Sequence, residues 1–271
     1  MILKERELLQ ARRDAQGRQR KTHGNTPSKE DRGFVKHDLT IKAKPSAQTI
    51  PAAAPSLPAT LEKAALIIVD AQKGFGSSGE LPVARAEEIV PVLNELMELF
   101  PVVVATQDWH PADHVSFAIN HADKKIGDTL PLGSYEQPLF PMHCIENTRG
   151  SQFLDNLNIE KFNRIFKKGT DPDVDCFSGF FDCEGGKATD MDEYLKENGI
   201  EHIFVAGLAT NYCVKETALD GLKLGFEVTL IEDACRGIDK VGLRVKTAIQ
   251  DLKNAGVGFV ESKNLKYPAR Q

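Results

Sequence analysis

The sequence predicts an α/β fold of three layers, in which a mostly parallel sheet of about six strands has helices on both faces. Two observations predict this fold. Short apolar runs rich in β-branched residues alternate with longer segments whose apolar residues recur at helical spacing. The short runs are apolar at consecutive positions, as expected of strands buried on both faces. In such sheets ligands bind beyond the carboxyl ends of the strands, so polar residues at those ends are the candidate functional residues.

The individual elements follow from this alternation. Six runs are predicted strands: Ala65–Val69, Val102–Ala105, Arg164–Lys167, His202–Ala206, Phe226–Ile231 and Val257–Val260. Four segments are predicted helices: Ala86–Phe100, Asp190–Asn198, Asn211–Leu224 and Lys240–Asn254. A glycine follows three of these helices, where a left-handed residue commonly ends a helix: Gly199, Gly225 and Gly256.

Residues 1–60 differ in composition from the rest of the chain. Residues 1–44 carry twelve Lys and Arg and six Asp and Glu, a local charge of +6 that leaves −11 for the other 227 residues. A stretch rich in Pro, Ala and Ser follows. We expect 1–60 to be a basic, flexible extension and linker, and 61–271 to be a single folded domain. An arm that contacts a partner is the alternative interpretation of the extension.

Composition excludes several classes of protein. With 41% hydrophobic and 27% charged residues the chain is not wholly disordered, and no run approaches the roughly 20 apolar residues of a membrane span. The net charge of −5 argues against a general nucleic-acid binder. The five cysteines contain no CxxC pair, which argues against a disulfide scaffold and is typical of a reducing, cytoplasmic location.

Three reactive side chains follow predicted strands. They are Asp70, Lys168 and Cys213. The thiol of Cys213 falls in the first turn of a predicted helix, where backbone N–H groups and the helix dipole favour an anion and lower the pKa of a cysteine. Each residue alone also has an ordinary interpretation: a turn carboxylate, a solvated lysine and a buried inert cysteine.

A second cluster has the side chains of a metal site. Asp108 and His110 follow another strand two residues apart, so alternation directs both side chains to the same side, and His143 lies downstream. Two imidazoles and a carboxylate suit Zn²⁺, Fe²⁺ or Mn²⁺. His114 and Ser116 are candidates for a further or water-mediated contact. A surface turn is the alternative for this pattern taken alone.

Five segments together, in this order, resemble the nicotinamidases (pyrazinamidases) of the isochorismatase-like cysteine hydrolases. The resemblance covers about residues 64–260, and residues 1–60 lie outside it. The segments that carry it are IIVDAQKGF, ATQDWHPADHVSFA, FPMHCIENTRGSQF, KKGTDPDVDCFSGF and GLATNYCVKETALDGLKLGFEVTLIEDACRGI.

The resemblance implies that Asp70, Lys168 and Cys213 form a catalytic triad. Asp70 is then the general base, Lys168 keeps that carboxylate ionised, and Cys213 attacks the carboxamide carbon. The backbone N–H groups of Ala209 and Cys213 are expected to hold the oxyanion. The Leu208–Ala209 peptide bond is expected to be cis.

The same resemblance assigns Asp108, His110 and His143 as ligands of one divalent ion, with zinc the first expectation and iron or manganese possible. Four aromatic residues are expected to line the substrate pocket: Phe75, Phe140, Phe177 and Tyr212. Phe140 stands where the family usually has Trp, and Phe177 where many members have Tyr. Both changes remove a polar group from an apolar wall, which indicates altered ring affinity and not lost catalysis.

The expected function is hydrolysis of nicotinamide to nicotinate and ammonia in NAD salvage. The partner is then a small pyridine carboxamide, without a membrane or nucleic acid, and a homo-oligomer would be unsurprising. The alternatives are a related hydrolase acting on another small amide or on a vinyl ether, and a non-catalytic binding protein with the same fold.

Overall fold

The computed structural model describes residues 57–132, 135–238 and 244–265. These residues fall within the second of the two units into which the chain divides, Thr49–Gln271. The prediction of a flexible extension concerns residues that, up to residue 56, lie outside the described part of the chain. In the described residues, no helix has the length and apolar character needed to cross a bilayer.

A six-stranded parallel sheet forms the centre of the molecule, which confirms the predicted fold class. Its strands are β1 (Ala64–Val69), β2 (Val102–Asp108), β5 (Arg164–Lys168), β6 (His202–Leu208), β7 (Glu227–Arg236) and β8 (Gly258–Val260). Their order in the sheet is β5-β2-β1-β6-β7-β8. Every residue of β1 and β6 is buried, so the centre of the sheet is covered on both faces.

Within the described ranges, four α-helices connect the strands: α1 (Ile89–Met97), α2 (Met191–Glu197), α3 (Lys215–Lys223) and α4 (Arg244–Ala255). The predicted glycine positions after α2, α3 and α4 all have positive φ. At the end of α3, for example, the amide of Phe226 donates to the carbonyl of Gly221, which closes the last turn around Gly225. Part of the predicted helix Lys240–Asn254, up to residue 243, lies outside the described residues.

The sheet order places the candidate residues together. Along the chain, β1, β2 and β5 extend the sheet toward one edge. The later strands β6, β7 and β8 then extend it from the other side of β1 toward the opposite edge. The order therefore reverses between β1 and β6. At such a switch point the loops diverge beyond the carboxyl ends of the strands and leave a crevice.

The structure adds a hairpin that the sequence did not indicate, β3 (Thr129–Leu132) with β4 (Tyr135–Pro138). It is separate from the main sheet, and each of its strands has four residues and one proline. Strands of four residues are too short to show a clear alternation of apolar and polar residues. Proline weakens the strand signal further, because it cannot donate to a ladder of hydrogen bonds and is usual only at sheet edges. The hairpin precedes Phe140 and His143 in the chain.

Candidate active site

The carboxyl ends of four neighbouring strands bring the predicted residues to one place. Asp70 directly follows β1, Asp108 is the last residue of β2, and Lys168 is the last residue of β5. Asp108 and Lys168 are partners in the parallel register of β2 and β5. Cys213 lies in the turn between β6 and α3. All four side chains are buried.

Lys168 is the centre of this cluster. Its Nζ lies 3.0 Å from Oδ2 of Asp70, 3.5 Å from Sγ of Cys213 and in a short ion pair with Oδ1 of Asp108. It also donates to the carbonyl of Cys176 at 3.0 Å. The ammonium group has no solvent exposure, so the two carboxylates replace its water. Burial opposes the charged form, yet Asp108 and Asp70 hold the pKa of Lys168 well above its ordinary value.

The acid and the thiol of the cluster have opposite protonation states near neutral pH. Burial raises the pKa of Asp70 to about 6, although the Lys168 charge opposes the change. Burial, together with the charges of Asp70 and Asp108, raises the pKa of Cys213 well above its ordinary value. The expectation of a lowered pKa for Cys213 was therefore wrong. Burial of the thiol has the largest effect on this pKa, and with the two carboxylates it outweighs the opposing charge of Lys168.

The local backbone also differs from the expected first turn of an α-helix. Residues Thr210–Val214 form a π-type turn, in which the amide of Val214 donates to the carbonyl of Ala209, and α3 begins only at Lys215. The Leu208–Ala209 peptide bond is cis, as the resemblance implied. Ala209 and Cys213 both line the cavity of the site.

Two polar residues that sequence reasoning missed hold the acids in place. The Thr106 hydroxyl donates to Oδ1 of Asp70 at 2.6 Å, and the Asp70 amide donates to that hydroxyl at 3.2 Å. The side chain of Gln72 donates to the carbonyl of Asp108 and accepts from its amide, each at 2.8 Å. Both side chains are fully buried. The available signal for Thr106 was its position as the first polar residue after the apolar run Val102–Ala105.

Asp108, His110 and His143 form a buried set whose ligand atoms all lie within 4.8 Å of one another. The Nδ1 of His110 donates to the carbonyl of Gly169, and the Nδ1 of His143 donates to the carbonyl of Pro141, each at 2.8 Å. Because a carbonyl only accepts, each Nδ1 carries a proton, and the Nε2 lone pair of a neutral ring is left for a metal. These residues therefore fit a divalent cation.

The electrostatics of the set also suit a cation. Burial lowers the pKa of His143 to about 4, so this ring is neutral at pH 7. Burial acts in the same direction on His110, but the Asp108 carboxylate outweighs it and raises the pKa of His110. The two remaining candidates contact each other. His114 Nδ1 and Ser116 Oγ are 2.7 Å apart, and the two imidazole rings of His114 and His110 are 4.3 Å apart.

The four predicted aromatic residues all line the cavity between the thiol and the histidines. The Phe140 ring lies 6.0 Å from the Tyr212 ring and 6.3 Å from the Phe177 ring, in near-perpendicular contacts. The Phe75 ring lies 5.5 Å from the imidazole of His143. The cavity has a volume of about 30 Å³.

Comparison with known proteins agrees with this geometry. Residues 64–263 match the family model of the isochorismatase domain. A nicotinamidase of Acinetobacter baylyi is 39% identical over 201 residues, which cover 74% of this chain and 94% of the relative.

Solved structures agree as well. A nicotinamidase/pyrazinamidase structure from Acinetobacter baumanii has 42% identity and a TM-score of 0.73, covering 76% of this chain and 99% of that one. A Pyrococcus horikoshii pyrazinamidase solved in complex with zinc has 36% identity and a TM-score of 0.62, covering 73% and 99%. The chain therefore belongs to the isochorismatase family and, within it, to the nicotinamidase-type amide hydrolases.

Proposed function

We propose that the chain hydrolyses nicotinamide to nicotinate and ammonia in NAD salvage, through a thioester on Cys213 and with a bound divalent metal ion. The observation that carries the proposal is the contact of one buried ammonium, that of Lys168, with Asp70, Asp108 and Cys213. Through this ammonium group, the acid Asp70 and the thiol of Cys213 lie next to Asp108, a member of the candidate cation-binding set. We also propose that residues 61–271 are the hydrolase domain, supported by the family match over 64–263.

The first step moves a proton from the thiol of Cys213 to the carboxylate of Asp70. At neutral pH the thiol is protonated and the carboxyl, with its pKa of about 6, is mostly ionised. Because the resting thiol is neutral, it needs a base within reach, and a ligand atom of Asp70 lies within 4.8 Å of Sγ. The sulfur forms a bond to the carboxamide carbon as its proton leaves, the electron pair of the carbonyl bond moves to its oxygen, and Lys168 remains beside the sulfur.

The second step releases ammonia. The carbonyl oxygen gains negative charge, which the backbone N–H groups of Ala209 and Cys213 would stabilise. When the tetrahedral adduct collapses, the carbon–nitrogen bond breaks and Asp70 returns its proton to the departing nitrogen. Asp70 then takes a proton from water, whose oxygen attacks the thioester carbon. The carbon–sulfur bond breaks as the protonated acid returns that proton to the sulfur, and the released carboxylic acid ionises to nicotinate.

Asp108, His110 and His143 would hold the divalent ion. When bound, the ion would supply a Lewis acid that binds the ring nitrogen of the substrate and so orients the carboxamide. Zinc is supported by the zinc complex of the similar Pyrococcus horikoshii protein, and the donor set is also compatible with iron or manganese. The three ligands line the cavity together with Phe75 and Phe140, whose rings both contact the imidazole of His143.

Phe140 and Phe177 would hold the substrate ring by apolar contact alone. Neither side chain has a hydrogen-bonding group, so the orientation of the ring depends on the metal site at one end and on the oxyanion groups at the other. The proposal therefore predicts strong discrimination between amides that have a ring nitrogen and amides that lack one.

The test is ammonia release from nicotinamide and from benzamide, which has the same carboxamide on a ring without nitrogen. With zinc bound we expect nicotinamide to be hydrolysed at least about 100-fold faster in kcat/KM, because benzamide cannot occupy the metal position. After chelation the preference should fall sharply, and added zinc should restore it. Equal turnover of the two amides, or unchanged preference without metal, would contradict the role of the metal. No turnover of either would defeat the assigned reaction.

A further inference from the structure

Asp175 is a buried carboxylate that the proposed reaction leaves unused. It is 3% exposed and lines the same cavity as Asp108, His110 and His143. It is not a member of the set of ligand atoms that lie within 4.8 Å of one another. Burying an unpaired carboxylate is costly, so its position beside the histidines calls for a function.

Neutral donors hold this carboxylate from two sides. The side chain of Gln137 donates to Oδ2 at 2.6 Å, and the amide of Cys176 donates to Oδ1 at 2.8 Å. Gln137 is fully buried in β4, and the hydroxyl of Tyr135 donates to its Oε1 at 3.0 Å, which fixes the amide orientation. These contacts orient Asp175 without neutralising it, because none of the three donors carries a charge.

The charge of Asp175 acts on the same small space as the histidines. Its carboxylate lines one cavity together with the imidazoles of His110 and His143, and it is buried, so water screens it little. The carboxylate therefore favours positive charge at the place where the imidazoles meet.

The balance of formal charge shows why a second carboxylate is useful there. Asp108 shares its charge with Lys168, which is also paired with Asp70, so these three groups together carry one net negative charge. A divalent ion beside two neutral imidazoles would leave one positive charge uncompensated in a buried site. Asp175 supplies the missing negative charge from the same cavity wall.

We propose that Asp175 is a positioning residue of the metal site, an outer carboxylate whose charge strengthens binding of a divalent cation at Asp108, His110 and His143. Gln137 of the hairpin holds it in place. This inference rests on the metal-binding part of the proposed function and does not depend on the reaction. Outer groups of this kind commonly change metal affinity by about 10- to 100-fold.

The test measures zinc affinity of the metal-free full chain by competition with a chromophoric chelator, so no turnover is required. Asp175→Asn removes the charge and keeps the shape, and we expect the dissociation constant for zinc to rise about 10- to 100-fold. Asp173→Asn is the matched control, since it removes the same charge from an exposed residue two positions away. We expect the control to change the affinity by less than about twofold, because exposed charges are screened.

Two further variants separate charge from structure. Gln137→Met removes the donor to Asp175 and should weaken zinc binding by roughly tenfold, the low end of the outer-group range. Asp175→Glu keeps the charge and should bind zinc nearly as tightly as the wild type. If the asparagine variant does not fold, the comparison of Gln137→Met with Asp175→Glu still tests the inference, and equal zinc affinities of these two variants would contradict it. Equal zinc affinity of Asp175→Asn and Asp173→Asn would overturn the inference while leaving the hydrolase assignment intact. Failure of the wild-type chain to bind zinc, manganese or iron would remove both the ligand set and this inference.

Discussion

Replacement of Thr106 by valine gives a quantitative test of how the protein sets the acidity of Asp70. Valine has the same shape as threonine but removes the hydroxyl that donates to Oδ1 of Asp70 at 2.6 Å. That hydrogen bond favours the ionised carboxylate and opposes the effect of burial. Its loss should therefore move the pKa of Asp70 further above the wild-type value of about 6.

The expected shift follows from the strength of the bond. A hydrogen bond to a charged group contributes about 1.5–3 kcal/mol, and each pKa unit corresponds to about 1.4 kcal/mol, so the pKa should rise by about one to two units. At pH 7 roughly nine tenths of the wild-type base is ionised. With a pKa near 7.5 only about a quarter would be, a loss of about fourfold that should disappear by about pH 9.

The assay is the pH dependence of kcat/KM for ammonia release from nicotinamide, which reports the free enzyme. Since Asp70 acts as a base, activity should fall as pH decreases through its pKa, and the variant should lose activity at a higher pH. Thr229→Val is the control, because Thr229 is equally buried but contacts His202, on β6 and outside the site. If kcat/KM of the Thr106 variant falls over the same acidic pH range as that of the control, the role assigned to Asp70 is refuted.

Two further predictions follow from the same site. Lys168→Met should abolish activity and lower the free energy of unfolding at pH 7.5 by about 3–5 kcal/mol in urea titrations, because two buried carboxylates lose their cation. This loss of stability should be smaller at pH 5, where the unpaired carboxyls take up protons. The control Lys167→Met should show neither effect. Gly169→Ala should weaken zinc binding by about tenfold, because its Cβ would lie 2.4 Å from Cε1 of His110. Gly185→Ala has a comparable positive φ with no neighbour within 4 Å, so equal zinc affinities of the two variants would contradict the contact.

The sequence alone predicted those features of the fold that depend on the burial of one segment. The mostly apolar runs Ala65–Val69 and His202–Ala206 predicted strands covered on both faces, and every residue of β1 and β6 is buried. Polar residues at the ends of such strands meet at one edge of a parallel sheet, so the meeting of Asp70, Lys168 and Cys213 follows from topology. The strand order itself gave no signal in any single segment.

The remaining features depend on partners that are distant in the chain. Thr106 and Gln72 are each separated by 36 positions from the residue they hold, and nothing in their own neighbourhoods shows that contact. The expected acidity of Cys213 was wrong because helix position was considered without the burial of the thiol and without the carboxylates beside it. Asp175 was missed because its partner, Gln137, belongs to a hairpin with no periodic pattern.

The most direct test of the account is ammonia release from nicotinamide by wild-type protein and by Cys213→Ser, at equal zinc content and with equal circular dichroism. If the sulfur of this residue attacks the carboxamide, the wild type turns over continuously and the serine variant is at least about 1,000-fold slower, since the poorly acidic hydroxyl is a much weaker nucleophile. Turnover by the serine variant within tenfold of wild type would contradict the account.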